Sequence, residues 1–365
     1  MKYRNLLFIF LLSVFASCSK DPELEPDTPP STFKVRIDNV IHETYFDSYP
    51  QGPSLFVPYL VMSGLPEGEK LLAFGGYYSP ENPNPDGSDY TFIHDCADDE
   101  LIQGWDWTQE LIYSAGWIDL PIPGKTYYFK GVVRTNKAVY YSNTVTINTD
   151  GLPGYTPGPQ DRVLPVVFHV MPRKDGTYPH PYFFDEMLAC ANRLYRNVWP
   201  LPGLADAGIR FVPATHAPDG TALSTPGIHY LDERYELDLD ISNEELRQWV
   251  GDNLWEMTEV INVWVSPFIN DHIVSEDTST AGFTFLPYFA PEEMLQGCNT
   301  AVPGCFSGIF LNQEIVGNGY CNSGIAVFAH EAGHYLGLDH VFEEDWCDDC
   351  LLYTSPSPRD RQKSR

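Results

Sequence analysis

Positive charge is scarce in this chain: 22 Lys and Arg stand against 50 Asp and Glu, a formal net charge of -28. Such a surface repels phosphate backbones and anionic lipid headgroups, so nucleic acid is excluded as a partner and charge-driven membrane binding is disfavoured. The surplus carboxylates read as a solvated surface, with calcium as the ligand class a few of them could serve. Long apolar runs are scarce too. The run at residues 6–15 is too short to cross a bilayer as a helix. No internal repeat is visible, and none of the 6 methionines follows position 340. What the chain does have is 43% hydrophobic and 14% aromatic residues, enough to rule out disorder and to fill cores.

With 365 residues the expectation is two folded units plus ends. Lys2 and Arg4, the apolar run, and Ala16-Ser17-Cys18 form a targeting segment. It resembles the lipobox of bacterial lipoproteins, which implies a signal peptide over 1–17 and lipidation of Cys18. Ser19 after it resembles sorting to the outer membrane, so the resemblance implies an exported lipoprotein held to the membrane by its N-terminal lipid. Residues 18–31, rich in Pro, Asp and Glu, read as a tether. At the other end, Cys350 to Asp360 resembles the translation of a transposase-type sequencing adapter. Residues 350–365 are therefore expected to be foreign, and the native protein to pass Asp349 into sequence not present here. Setting aside Cys18 and Cys350 leaves six cysteines with 15 possible pairings. The turn-rich spacer between Cys298 and Cys305 favours that pair as a disulfide over a zinc role, since neither has a Cys-x-x-Cys neighbour.

Residues 32–149 carry short runs rich in Val, Ile, Tyr, Phe and Thr between Pro, Gly, Asn and Asp, with no amphipathic helix among them. Strands are expected at 33–40, 55–62, 71–78, 126–135 and 139–148, the pattern of an all-β sandwich. The last two runs resemble the closing strands of a fibronectin type III domain, with the tyrosine-corner position near Tyr127. Residues 150–161, with repeated Pro and Gly, read as a linker. Beyond it the period changes. A buried strand is expected at 163–171, a helix at 183–198, and a strand at 209–213. A helix capped by Ser242 and Glu245, strands at 260–265, 281–286 and 308–314, and a last helix at 324–336 complete an α+β unit over 162–349.

The last helix holds His330-Glu331-Ala332-Gly333-His334-Tyr335-Leu336-Gly337-Leu338-Asp339-His340, a complete His-Glu-x-x-His-x-x-Gly-x-x-His. Residues 330 and 334 lie one helical turn apart, so two imidazoles can reach one cation. A helix continued to 340 would carry the third imidazole away, so the chain must turn, and Gly337 supplies the permissive backbone. Three neutral imidazoles leave one tetrahedral position of a zinc ion open to water, and Glu331 is placed to accept that water's proton. The added Gly and His make a chance match about one in 500 rarer at this composition. A buried helix with hydrogen-bonded histidines is the bland alternative.

Around this motif the chain resembles the pappalysin family of metzincins, including its cytophagalysin branch. The matching pieces are Asn262-Val263-Trp264-Val265, Ala281-Gly282-Phe283 with Pro287, Ser307-Gly308-Ile309-Phe310-Leu311, and Val327 to Phe342. The resemblance implies a zinc-dependent endopeptidase acting on proteins or peptides. His330, His334 and His340 would be the metal ligands and Glu331 the catalytic base. Gly308, Ile309, Phe310 and Leu311 would form the sheet-edge strand that pairs with substrate. Metzincins carry a methionine turn downstream of the third histidine, and its absence here implies a truncated catalytic domain. Calcium is suggested by composition alone at Glu343, Glu344, Asp345, Asp348 and Asp349. The histidines at 42, 94, 169, 180, 216, 229 and 272 lack ligand spacing and read as structural or surface residues. Cys96 reads as a disulfide partner or buried thiol in preference to a latency cap on zinc. A competing function is a binding lipoprotein that presents aromatics such as Trp105 and Trp107, although both read more readily as core.

Overall fold

Alternation of side chains drives the N-terminal half into strands. In Thr126–Thr135, Tyr127 and Phe129 are fully buried while Thr126, Tyr128 and Lys130 are half-exposed, the period of two that a pleated strand imposes. The computed structural model describes residues 32–44, 53–199, 205–233, 237–238, 244–267, 269–270, 281–285, 308–313 and 323–338.

Along the chain run β1 (Lys34–Thr44), β2 (Ser54–Ser63), β3 (Leu71–Ser79), β4 (Tyr90–Asp95), the short helix α1 (Glu100–Gln103), β5 (Leu111–Ser114), β6 (Ile118–Asp119), β7 (Thr126–Thr135) and β8 (Val139–Asn148). They form two antiparallel sheets, one ordered β1-β2-β5 with β6 also on β2, the other β4-β3-β7-β8. Ile37, Leu60 and Met62 from the first sheet and Phe74, Tyr78, Phe129 and Val133 from the second share one core. Asn143 of β8 closes the seam between the sheets by bonding both the N–H and the carbonyl of Ile37. Tyr127 accepts from the N–H of Ile122 at 2.8 Å, tying the start of β7 to the turn before it. Trp107 meets Phe33 edge-on, and both Trp105 and Trp107 pack on the core, so the expected alternative of an exposed aromatic platform is not what these two side chains form.

After residues 150–161 come β9 (Arg162–Val170), α2 (Pro181–Tyr195), β10 (Ile209–Pro213), β11 (Ile228–Tyr230), β12 (Leu237–Asp238), α3 (Glu244–Asn253), β13 (Ile261–Ser266), β14 (Ile269–Asn270), β15 (Gly282–Phe285), β16 (Gly308–Asn312) and α4 (Ser323–Tyr335). The main sheet is ordered β10-β9-β13-β16-β15 with β11 also on β9. Its neighbours pair in parallel except at β15, which runs antiparallel to β16. Helices α2 and α4 cover one face through Phe184, Met187, Phe328 and Ala332, while Trp249 and Val250 of α3 reach Trp264 and Phe310 on the other. Burial on both faces explains why β9 and β13 are nearly continuous apolar runs.

The topology corrects one expectation. Gly308, Ile309, Phe310 and Leu311 are not the sheet edge: they are buried between β13 and β15, hydrogen-bonded on both sides. Gly308 is held small by that position, since an added Cβ would lie 2.8 Å from the carbonyl of Asn262. Among the described residues the edge on that side of the sheet belongs to β15.

The two halves are also less separate than the Pro- and Gly-rich connection suggests. Helix α2 carries two buried stripes. Phe184, Met187, Leu188, Ala191 and Tyr195 face the main sheet, while Tyr182, Phe183 and Cys190 complete the core of the N-terminal sheets. Between them lies Glu186, fully enclosed, accepting from the Tyr90 hydroxyl at 2.5 Å and the Tyr127 hydroxyl at 2.6 Å. Burial pushes its carboxyl above the ordinary glutamate value while the two phenols oppose the rise. Two turns on, Arg193 donates to the carbonyls of Leu120 and Pro121.

Candidate metal centre

Helix α4 lies on α2 and the main sheet through Phe328, Ala329, Ala332 and Tyr335, and the hydroxyl of Tyr195 bonds the carbonyl of Ala329 at 3.1 Å. That packing fixes the rotation of the helix. His330 is then turned outward, Glu331 inward with 5% of its surface exposed, and His334 sits half-buried between them. The rings of His330 and His334 are nearly perpendicular, with their Nε2 atoms 3.1 Å apart.

That separation suits a shared ion. Two nitrogens, each about 2.05 Å from one tetrahedral zinc, lie about 3.3 Å apart. The protonation pattern suits it as well. Nδ1 of His334 lies 2.7 Å from the carbonyl of Leu338, which can only accept, so the proton sits on Nδ1 and the neutral ring keeps its Nε2 lone pair for a metal.

The same turn that ends the helix creates this bond. Gly337 takes φ +92°, its N–H returns to the carbonyl of His334 at 2.8 Å, and the N–H of Leu338 reaches back to Gly333 at 3.0 Å. These two bonds define a Schellman stop. They also swing the Leu338 carbonyl over the end of α4, onto His334. Sequence reasoning foresaw the turn at Gly337 but not the bond it brings from Nδ1 of His334 to the Leu338 carbonyl.

Glu331 is gripped from the sheet. The hydroxyl of Thr284 on β15 lies 2.7 Å from its carboxylate and 3.0 Å from its backbone carbonyl. Thr284 was missed because nothing in its local pattern marks it.

Other expectations divide. His340, Cys18, Cys298, Cys305 and the acidic residues 343–349 lie outside the described residues. Among the described residues no three metal-ligating side chains converge, so two of the three expected ligands are what the structure brings together. Among them, too, no helix is long and apolar enough to cross a membrane. Cys96 is buried in the core of the N-terminal sheets as a free thiol, and burial lifts it to about 12, far from the reactive thiolate a zinc cap would need.

Two histidines with no ligand spacing in sequence do meet. His169 of β9 lies with its Nδ1 2.9 Å from Nδ1 of His229 and its Nε2 2.9 Å from Oδ1 of Asn262. Asn262 Oδ1 also accepts from the Trp255 N–H, so His169 carries its proton on Nε2 and His229 donates to its Nδ1. Every partner is neutral. Burial accordingly pushes His169 down to about 3.

Residues 244–360 match the sequence profile of the peptidase family described as Pregnancy-associated plasma protein-A. No curated protein matches the chain. Among solved structures, mature mirolysin of Tannerella forsythia in complex with a cleaved peptide is 17% identical, covering 52% of this chain and 67% of its own, with a TM-score of 0.37. Mirolysin in complex with compound 9 gives the same identity, coverage and score. A DUF3823 family protein from Bacteroides ovatus is 15% identical over 32% of this chain and 55% of its own, with a TM-score of 0.22.

Proposed function

From the match of residues 244–360 to a pappalysin-type metallopeptidase profile, we propose that this protein is a zinc-dependent endopeptidase with His330, His334 and His340 as ligands and Glu331 as base. The observation that carries the reading is the 3.1 Å approach of the two Nε2 atoms, with His334 fixed as an Nδ1–H tautomer by Leu338. Zinc held there supplies Lewis acidity toward a peptide carbonyl and acidifies water. Glu331 takes the proton of the attacking water and returns it to the departing amine. The edge strand β15 offers backbone groups to an extended peptide, and the antiparallel junction at β16 sets its direction. The N-terminal sheets serve as an accessory fibronectin type III-like domain. Export and anchoring through lipid on Cys18 complete the reading, which follows from the sequence of residues 1–19 alone.

The test is Glu331→Gln in the full-length protein. Zinc content should stay at one equivalent while cleavage of a quenched fluorescent casein disappears. Turnover near that of the wild type, or loss of the metal together with activity, refutes the assigned role.

A further inference from the structure

We propose that β15 is the seat of the base: Thr284 is a positioning residue that ties Glu331 to the sheet-edge strand, and Gly282 is the space into which the Glu331 side chain lies. The inference rests on the reading of Glu331 as the proton acceptor and adds what holds it.

Three observations meet on one face of β15. Residues 282 and 284 point the same way on a pleated strand, toward α4. At 284 the hydroxyl reaches both the carboxylate, at 2.7 Å, and the main-chain carbonyl of Glu331, at 3.0 Å. At 282 a Cβ would lie 3.1 Å from Cγ of Glu331, 3.0 Å from Val327 and 2.9 Å from the carbonyl of Phe310, so the side chain of the base rests against bare backbone. The strand itself is anchored from its opposite face, where Phe283 stacks on Phe310 at 4.6 Å with the planes 3° apart.

A glutamate with 5% exposure needs a hydrogen bond to its carboxylate, and a charge-assisted hydroxyl is a strong one. As a bifurcated donor, its one proton shared between the carboxylate and the main-chain carbonyl of residue 331, that hydroxyl fixes the carboxyl relative to the helix and to the strand at once. A peptide that adds to the β15 edge is then registered by the same four residues that register the base. Movement of one carries the other. Loss of such an orienting partner costs about 10-fold to 100-fold in activity at comparable centres.

The experiment compares Thr284→Val, which keeps the shape and removes the hydroxyl, with Thr284→Ser, which keeps the hydroxyl, in the full-length protein. With a quenched fluorescent peptide that the wild type cleaves, Thr284→Val should lower kcat about 10-fold to 100-fold with KM within about twofold, and Thr284→Ser should recover most of the loss. Zinc affinity, read by chelator competition, should stay within about threefold for both, and the unfolding temperature of the metal-free protein should drop for Thr284→Val more than for Thr284→Ser. Gly282→Ala probes the same seat by crowding it and should also lower kcat with zinc retained. A Thr284→Val kcat within twofold of wild type overturns the inference, as does a loss that tracks zinc or one that Thr284→Ser does not relieve. If Thr284→Val does not fold, an undisturbed kcat in Gly282→Ala overturns it instead. A wild type that cleaves nothing overturns the assignment of Glu331 and this inference with it, whereas an active wild type with an indifferent Thr284→Val overturns this one alone.

Discussion

Gly337 joins two jobs, the stop of α4 and the orientation of His334, the proposed zinc ligand, and substitution should separate them. At φ +92° an alanine costs about 1–2 kcal/mol relative to glycine. Opening the turn to relieve that strain would forfeit three hydrogen bonds, Gly337 to His334, Leu338 to Gly333 and His334 to Leu338. At about 1 kcal/mol each, the turn is worth about 3 kcal/mol, more than the strain. Gly337→Ala should therefore keep the turn and carry the strain as lost stability. The metal-free protein should unfold about 2–8 °C lower in calorimetry, with zinc affinity within about threefold of wild type. Gly337→Val is different, because a β-branched residue fits the left-handed region far worse and the turn becomes the weaker party. Once it opens, the Leu338 carbonyl leaves His334, and zinc affinity should fall about 10-fold to 100-fold. Chelator competition on both variants decides. If Gly337→Ala loses zinc as severely as His334→Ala, or Gly337→Val binds it like the wild type, the coupling of turn and ligand is wrong.

Two buried groups give opposite pH signatures. His169 titrates at about 3 when folded against 6.5 when unfolded, so its contribution is present above pH 6.5 and lost as pH falls, by about 2 kcal/mol at pH 5. Urea unfolding at pH 7.5 and pH 5 should show a drop for wild type that His169→Gln reduces by that amount; an equal drop in both would exclude His169 as its source. Glu186 is raised above 4.5, so its contribution is complete below that value and declines as pH rises through the folded value. Glu186→Gln should gain on wild type in unfolding temperature between pH 4.5 and pH 7, and a gap that does not change with pH would contradict the assignment. Cys18→Ala should move the protein from the membrane to the soluble fraction after cell lysis, and retention would show that the lipid on Cys18 is not what holds it.

The strands of the sequence reading fall where β1, β2, β3, β7, β8, β9, β10, β13, β15 and β16 lie, because each is long or apolar enough to impose its own period. Strands β5, β6 and β11 have two to four residues and exist only because longer neighbours offer them a ladder. In α2 the apolar stripe over the main sheet was legible. Its second stripe was not, since Glu186 and Arg193 look like solvent residues until Tyr90, Tyr127 and two carbonyls arrive from positions 59 to 96 residues away. At the centre, His330, Glu331 and His334 follow from spacing along one helix. Thr284 and the pairing of His169 with His229 depend on which strands become neighbours, and no local pattern encodes that. The edge strand was misassigned for the same reason: Gly308 to Leu311 and Gly282 to Phe285 are both short and apolar, and only the ladder distinguishes inside from outside.

Helix α2 has a consequence for how the chain can be taken apart. One stripe is sealed against the main sheet and the other against the N-terminal sheets, and in the seam Glu186 bonds two tyrosine hydroxyls while Arg193 bonds two backbone carbonyls. A protease that cut within 150–161 would sever the connection without exposing either stripe, so the product should travel as a noncovalent two-chain molecule through gel filtration. A gene fragment starting at 162 would instead present Tyr182, Phe183 and Cys190 to water with a glutamate among them. On this packing the connection should be dispensable once folding is over, and the sheets on its far side should not be.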